Sequence, residues 1–242
     1  MRISYQDALA FFNIEGAHPG GMTVTKKILQ NELIGGHSKI LDAGCGTGQT
    51  SSYLAKTYDC EVYAIDNHPE MMKRAAQRFL KENANVKVFN GTIENLPFQN
   101  DSFDYILAES STAFTHIPSS LAEYIRVLKP RGTLLTIDMT AEQQLSKKEQ
   151  AEIIHFYDMQ KILTEEDWVK AFHTAGFKTV EVLRSHSVFQ ELDEYIVEED
   201  VDLEPLLFEQ SNPIYDEVLQ THQNLLFSYG DKLGYRVFKV KK

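Results

Sequence analysis

The chain is 242 residues long, with 43% apolar and 24% charged side chains, which suits one α/β domain with a full core; no apolar run reaches the ~20 residues of a membrane span. Its formal charge of −11 argues against a nucleic-acid backbone as the main partner. Two cysteines, Cys45 and Cys60, give neither a disulfide framework nor metal-ligand spacing, and "MRISYQDALAFFNIEG" lacks the basic-then-apolar start of a secretory leader, so a cytoplasmic, reducing location is expected.

Two helical patterns come first, "YQDALAFFNI" and "TVTKKILQNELI", joined by "EGAHPGG". The period then changes. "KILDAG" reads as a buried strand and "GQTSSYLAKTY" as a helix, followed by the strand "CEVYAID" and the helix "HPEMMKRAAQRFLKEN" with Pro69 in its first turn. "NVKVFNG" and "SFDYILAES" are the third and fourth strands. The helix "SSLAEYIRVL" ends at Lys129-Pro130, and "GTLLTIDM" is the fifth strand. Thr164 and Asp167 form a capping box for "EEDWVKAFHTA", Gly176 stops it, and "FKTVEVL" is the sixth strand. "YRVFKVK" alternates as an edge strand should and is expected to pair with strand six as a hairpin.

Strands alternating with helices at this spacing predict an α/β fold: a doubly wound, seven-stranded, mostly parallel sheet with the last strand antiparallel. The chain divides into an N-terminal helical cap (1–36), a core (37–184), an acidic helical insertion (185–231) and a final edge strand (232–242). From Ser185 to Asp231 there are twelve acidic residues and no lysine or arginine. A solvated helical face accounts for such a run; attraction of a cationic substrate is the sharper alternative.

Gly44, Gly46 and Gly48 follow the first strand and open a helix, so backbone N–H groups and the helix N-terminus face whatever lies against them. Dinucleotides and adenosyl cofactors compete for such a loop. The third glycine of a dinucleotide fingerprint, counted from Gly44, falls on Gln49. Asp42 would repel a pyrophosphate and attract an ammonium group. The chemistry favours a cationic, amino-acid-bearing nucleoside such as S-adenosylmethionine.

"LDAGCGTG" resembles the cofactor loop of the class I S-adenosylmethionine-dependent methyltransferases, and the likeness runs over roughly Lys39 to Arg184. The resemblance implies a set of cofactor residues: Asp42, Gly44, Cys45, Gly46 and Gly48 in the loop, Asp66 and Asn67 after strand two, Thr92 and Ile93 after strand three, and Glu109 after strand four. Asp66, 22 residues after Gly44, is similar to the family acid that accepts both ribose hydroxyls. Thr92 stands where relatives place an aspartate toward the adenine amino group; its hydroxyl is shorter and uncharged, while backbone recognition at Ile93 does not depend on a side chain. "RVLKPRG" resembles a family turn and reads as packing.

The acceptor side belongs to "AESSTAFTHIPSS", since ligands sit beyond the carboxyl ends of the strands. Glu109 is a candidate for holding the cofactor's amino group or serving as base, and His116 is a candidate proton acceptor. In the cap, His18, Gly20 and Gly21 resemble a lid element, and Tyr5, with Phe11 and Phe12, is a candidate pocket wall. "NPIY" (212–215) resembles a signature of amide and adenine methylation but sits far from strand four, and is read as a helix start. No cluster suggests a metal. The expected function is methyl transfer from S-adenosylmethionine to a small-molecule acceptor, leaving S-adenosylhomocysteine; the alternative is a non-catalytic protein that binds either compound. The late aromatics Tyr195, Phe208, Tyr215, Phe227 and Tyr229, with the acids, would suit an amine.

Overall fold

The computed structural model describes residues 2–191 and 211–242. Helices α1 (Tyr5–Phe12) and α2 (Gly21–Leu29) precede β1 (Lys39–Ala43), α3 (Gln49–Thr57), β2 (Glu61–Asp66), α4 (Pro69–Glu82), β3 (Val86–Asn90) and β4 (Phe103–Glu109). A 3-10 turn, Thr112–Phe114, leads into α5 (Ile117–Val127), β5 (Leu128–Ala141), α6 (Lys147–Tyr157), α7 (Glu165–Ala175) and β6 (Thr179–Ser187), and α8 (Pro213–Tyr229) precedes β7 (Leu233–Lys241). The strands form one seven-stranded sheet in the order β3-β2-β1-β4-β5-β7-β6. All neighbours up to β5 pair in parallel, and β7 runs antiparallel to both β5 and β6.

This order corrects one expectation. The last strand is not an edge; it fills the gap between β5 and β6, and the edges are β3 and β6. The alternation in "YRVFKVK" misleads because two of its polar positions, Arg236 and Lys239, meet acids, not water. Arg236 is 6% exposed and bonded to Glu142 and Glu165, and Lys239 donates to Glu32 at 2.5 Å. A buried cation so paired reads, in one dimension, like a solvated one. In β6, by contrast, exposed positions alternate with half-buried ones.

The core lies on both faces of the sheet, as period-2 alternation requires. Leu41, Phe103, Leu134 and Phe238 pack with Tyr124, Trp168 and Phe172 on one face; Ile40, Val62, Leu135 and Val237 pack with Val24, Ile28 and Leu29 on the other. The Thr164 capping box and the left-handed Gly176 cap bound α7 as the sequence indicates. Helix α6 carries the same device at Ser146 and Glu149. Asn212 caps α8 with Pro213 in its first turn, so "NPIY" starts a helix. The acidic stretch reads as helical over Pro213–Tyr229, while Tyr195 and Phe208 lie outside the described residues. Helix α8 packs on α1: Phe11 stacks on Tyr215 at 4.1 Å, and Tyr5 on His222 at 4.6 Å.

Asp138 in β5 is fully buried; it accepts from the Thr136 hydroxyl and from Ala113 N at 3.1 Å. Burial pushes its carboxyl up to about 7. Since the folded protein holds this proton more tightly than the unfolded chain, whose ordinary value is 3.8, the stabilisation is present in full below that value and lost as pH rises through about 7. Denaturant melts of the protein and of Asp138→Asn should therefore converge or cross. Between about pH 5 and about pH 8 the variant should gain roughly 1–3 kcal/mol relative to the parent, with other titrations cancelling in the difference. A pH-independent difference would refute the assignment.

Candidate active site

The turn after β1 is held from behind by β2: Gly44 N and Cys45 N both donate to Ile65 O, at 2.8 and 3.0 Å. Gly46 N then donates to Asp66 Oδ2 at 2.9 Å, while His68 N donates to Oδ1 at 2.8 Å. Asp66 is thus fixed at the end of β2 by two backbone donors, half-buried and lining the cleft beside Asn67. Gly46 has φ +53°, and a Cβ built on it meets nothing within 4 Å, so the bare backbone opens directly onto the cleft. Gly48 differs. It caps α3 with φ +78°, and an added Cβ would lie 2.6 Å from the Phe79 ring on α4, away from the cleft walls. Its place in the motif is explained by helix packing.

Three carboxylates converge beside this loop. Asp42, 2% exposed, accepts from Ser51 Oγ at 2.5 Å. Burial, and after it the charges of Glu109 and Asp66, pushes its carboxyl up to about 7. Glu109 ends β4 with its side chain 8% exposed, receiving the Thr25 hydroxyl from α2 at 2.5 Å and the Thr50 hydroxyl from α3 at 2.6 Å. His18 of the cap points Nε2 at the same carboxylate from 3.7 Å and lies 3.3 Å from Thr25 Oγ1. One carboxylate therefore joins the cap, the glycine-loop helix and the end of β4. Cys45 is buried between Asp42 and Asp66, and its thiol is pushed well up by that burial and by their charges.

The cleft encloses about 420 Å³, within the usual ~300–1,000 Å³ of small-ligand sites. Of the residues singled out from sequence, Asp42, Gly44, Cys45, Gly46, Asp66, Asn67, Thr92, Ile93, Glu109 and His18 line it together. Thr92 turns its hydroxyl onto its own loop, 3.3 Å from both Glu94 N and Glu94 Oε2. Others stand elsewhere. His116 is exposed at the N-terminus of α5 with its ring 2.7 Å from Ser119 Oγ, and only its neighbours Phe114 and Thr115 reach the cleft. Tyr5 is buried edge-on against Tyr157 under α8, and Gly20 and Gly21 form the left-handed start of α2. These four lie outside the lining.

Sequence reasoning expected the first helix to wall the pocket through Tyr5, Phe11 and Phe12, but other residues of that region line the cleft. Ser4, Gln6, Leu9 and Ile14 bring α1 and its flanks to the cleft, Gln49 and Thr50 flank the loop, and Asp158 reaches it from the end of α6. Ser110 adopts φ +48° directly after β4, a strained conformation of the kind found at ligand sites. The capping box at Ser4 and Asp7 was readable as a helix start, but nothing local says what that helix covers.

The residues fit S-adenosylmethionine. Gly46 leaves an open cradle, Gln49 Oε1 is buried without a hydrogen-bond partner, and Asp42, Asp66 and Glu109 face the cleft, whose lining holds no lysine or arginine among the described residues. A ligand carrying an ammonium and a sulfonium suits that field. No group of three or more His, Cys, Asp or Glu among the described residues is placed to hold a metal ion.

Comparison with known proteins agrees. A family model described as a methyltransferase domain matches residues 40–132. The chain is 34% identical over 242 residues to the uncharacterized methyltransferase YodH of Bacillus subtilis (strain 168), covering 98% of this chain and 99% of that protein. It is 28% identical over 162 residues to a glycine/sarcosine/dimethylglycine N-methyltransferase of Actinopolyspora halophila, covering 66% of this chain but 27% of that protein. Among solved structures, its fold is similar to Haemonchus contortus phosphoethanolamine N-methyltransferase 2 in complex with phosphomonomethylethanolamine and S-adenosylhomocysteine. The TM-score is 0.78 at 21% identity, over 98% of this chain and 56% of that one.

Proposed function

Because the chain belongs to the class I S-adenosylmethionine-dependent methyltransferases, we propose that it methylates a small molecule held under its N-terminal cap. The observation that carries this reading is the position of α1. Leu9 of α1 and Ile14 after it line the same cleft as Ser110, Ser111 and Phe114 after β4, so the N-terminal cap supplies part of the wall beyond the glycine loop. A wall contributed by the cap suits a metabolite better than a nucleic acid or a folded protein.

The cofactor supplies an electrophilic methyl group, and the remaining work is alignment, exclusion of water and, for some acceptors, proton removal. Asp66 is suited to the ribose hydroxyls and Gly46 to close approach of the nucleoside. Glu109, pinned through both oxygens by Thr25 and Thr50, is suited to hold the cofactor's ammonium in a fixed direction. His18 beside it is the cap's candidate proton acceptor on the acceptor side. Excluding water strengthens each of these interactions.

The test is to incubate the protein with methyl-labelled cofactor and a metabolite extract, then separate small molecules from macromolecules. Label in the small-molecule fraction is expected. Label in protein or nucleic acid would overturn the small-acceptor reading, and binding of S-adenosylhomocysteine with no turnover on any extract would favour a non-catalytic binder.

A further inference from the structure

Resting on that reading, we propose that the acceptor is a small amine, positively charged in solution and without a phosphate or other anionic group. The argument is the charge of the cleft. Asp42, Asp66, Glu109 and Asp158 line it, and no lysine or arginine does among the described residues. Residues 192–210 contain neither lysine nor arginine, nor does any position from Ser185 to Asp231. The late segment therefore has no such cation to set against an acceptor.

The guanidinium groups behind the site are committed elsewhere. Arg78 donates to Thr47 O at 3.0 Å and pairs with Glu15 and Glu82, and Arg74 pairs with Glu70 at 3.3 Å. The basic side chains that do line the cleft, His18 and His68, each face a carboxylate: Glu109 at 3.7 Å and Asp7 at 3.1 Å. An anionic acceptor would lose its hydration without gaining a countercharge and would meet like charges besides. An ammonium would be drawn in. The cofactor's single net positive charge does not offset Asp66, Glu109 and Asp158 together.

Asp158 gives the acceptor end its own charge. It ends α6 in the left-handed conformation (φ +55°), exposed, directly after Tyr157, whose ring packs edge-on against Phe114 with centroids 6.3 Å apart. Phe114 and Thr115 line the cleft as Asp158 does. In the reaction this requires, the ammonium first gives one proton to solvent. The nitrogen lone pair then forms the N–C bond to the methyl carbon while the C–S bonding pair returns to sulfur, leaving the methylated amine and S-adenosylhomocysteine.

The test uses the whole protein and matched probes: monomethylethanolamine and phenethylamine as amines, phosphoethanolamine and lactate as anions, phenol as a neutral acceptor. Binding of S-adenosylhomocysteine is established first by calorimetry. The protein so loaded is then titrated with each probe, and transfer is followed separately with labelled cofactor. Binding and transfer are expected for the amines alone, weakening as salt is added. Asp158→Asn keeps a side chain that tolerates left-handed backbone; it should raise the amine Kd about three- to tenfold and leave S-adenosylhomocysteine binding unchanged. Transfer to an anionic or neutral probe as efficient as to the amines would overturn the proposal, as would binding of no amine to the loaded protein. Failure to bind S-adenosylhomocysteine would remove the methyltransferase reading itself, and this inference with it.

Discussion

Replacing Asp66 with alanine is expected to weaken S-adenosylhomocysteine binding by about 100-fold or more, measured by calorimetric titration beside the parent protein. Two contributions add. A carboxylate accepting two ribose hydroxyls contributes about 1.5–3 kcal/mol per charge-assisted bond. Asp66 also receives Gly46 N and His68 N, so its removal frees two backbone donors and loosens the turn that should carry the nucleoside. Asp66→Asn separates the two. Its amide can still accept one backbone donor but cannot accept four hydrogen bonds, so it should fall between parent and alanine. A tenfold loss or less in the alanine variant, with the fold intact, would mean that the ribose lies elsewhere.

Gly48→Ala should damage the protein through stability and not through cofactor affinity, because its clash lies in the helix packing behind the loop. The new methyl would stand 2.6 Å from Phe79 Cζ and 3.1 Å from Ala75 Cβ, in a backbone with φ +78°. Left-handed backbone costs alanine about 1 kcal/mol and overpacking a further 1–3 kcal/mol, so a loss of about 2–4 kcal/mol is expected. For a chain of this size that lowers Tm by very roughly 5–15 °C. Phe79→Leu should relieve part of the clash, so the double variant should lose less than the sum of the singles. Affinity for S-adenosylhomocysteine, measured well below the melting range, should change little. A large loss of affinity with Tm unchanged would return Gly48 to the role that its position in the motif suggested.

These two residues mark what the sequence could and could not convey. The loop, Asp66 and the alternation of strands and helices were legible because each rests on local chemistry: a turn that needs positive φ, a carboxylate at a strand end, a change of hydrophobic period. The same locality hid the rest. Glu109 is recognisable as a strand-end acid, yet the hydroxyls that hold it come from Thr25 and Thr50, 84 and 59 positions away. The aromatic contacts that bring α1 under α8 cross most of the chain: Tyr5 meets His222, and Phe11 meets Tyr215. His116 looked functional from its neighbourhood in sequence, but the first turn of α5 carries its ring outward. Helix α6 was missed although Ser146 and Glu149 spell a capping box, because the apolar pattern behind them is weak; Ile153 and Tyr157 are its buried residues. The placement of β7 depended on which acids stand beside Arg236 and Lys239, and no period within nine residues carries that information.

The placement of β7 also sets an order of events during synthesis. A ribosome delivers β5 and β6 well before Leu233–Lys241, so in the emerging chain the facing backbones of those two strands have no native neighbour between them. The nascent sheet presents an unfilled slot flanked by apolar residues, the kind of surface that recruits chaperones or another copy of itself. Vectorial synthesis thus cannot complete this domain piece by piece from the N-terminus: a ribosome stalled before residue 233 would hold an aggregation-prone fragment, and the sheet becomes whole only when the last strand threads in.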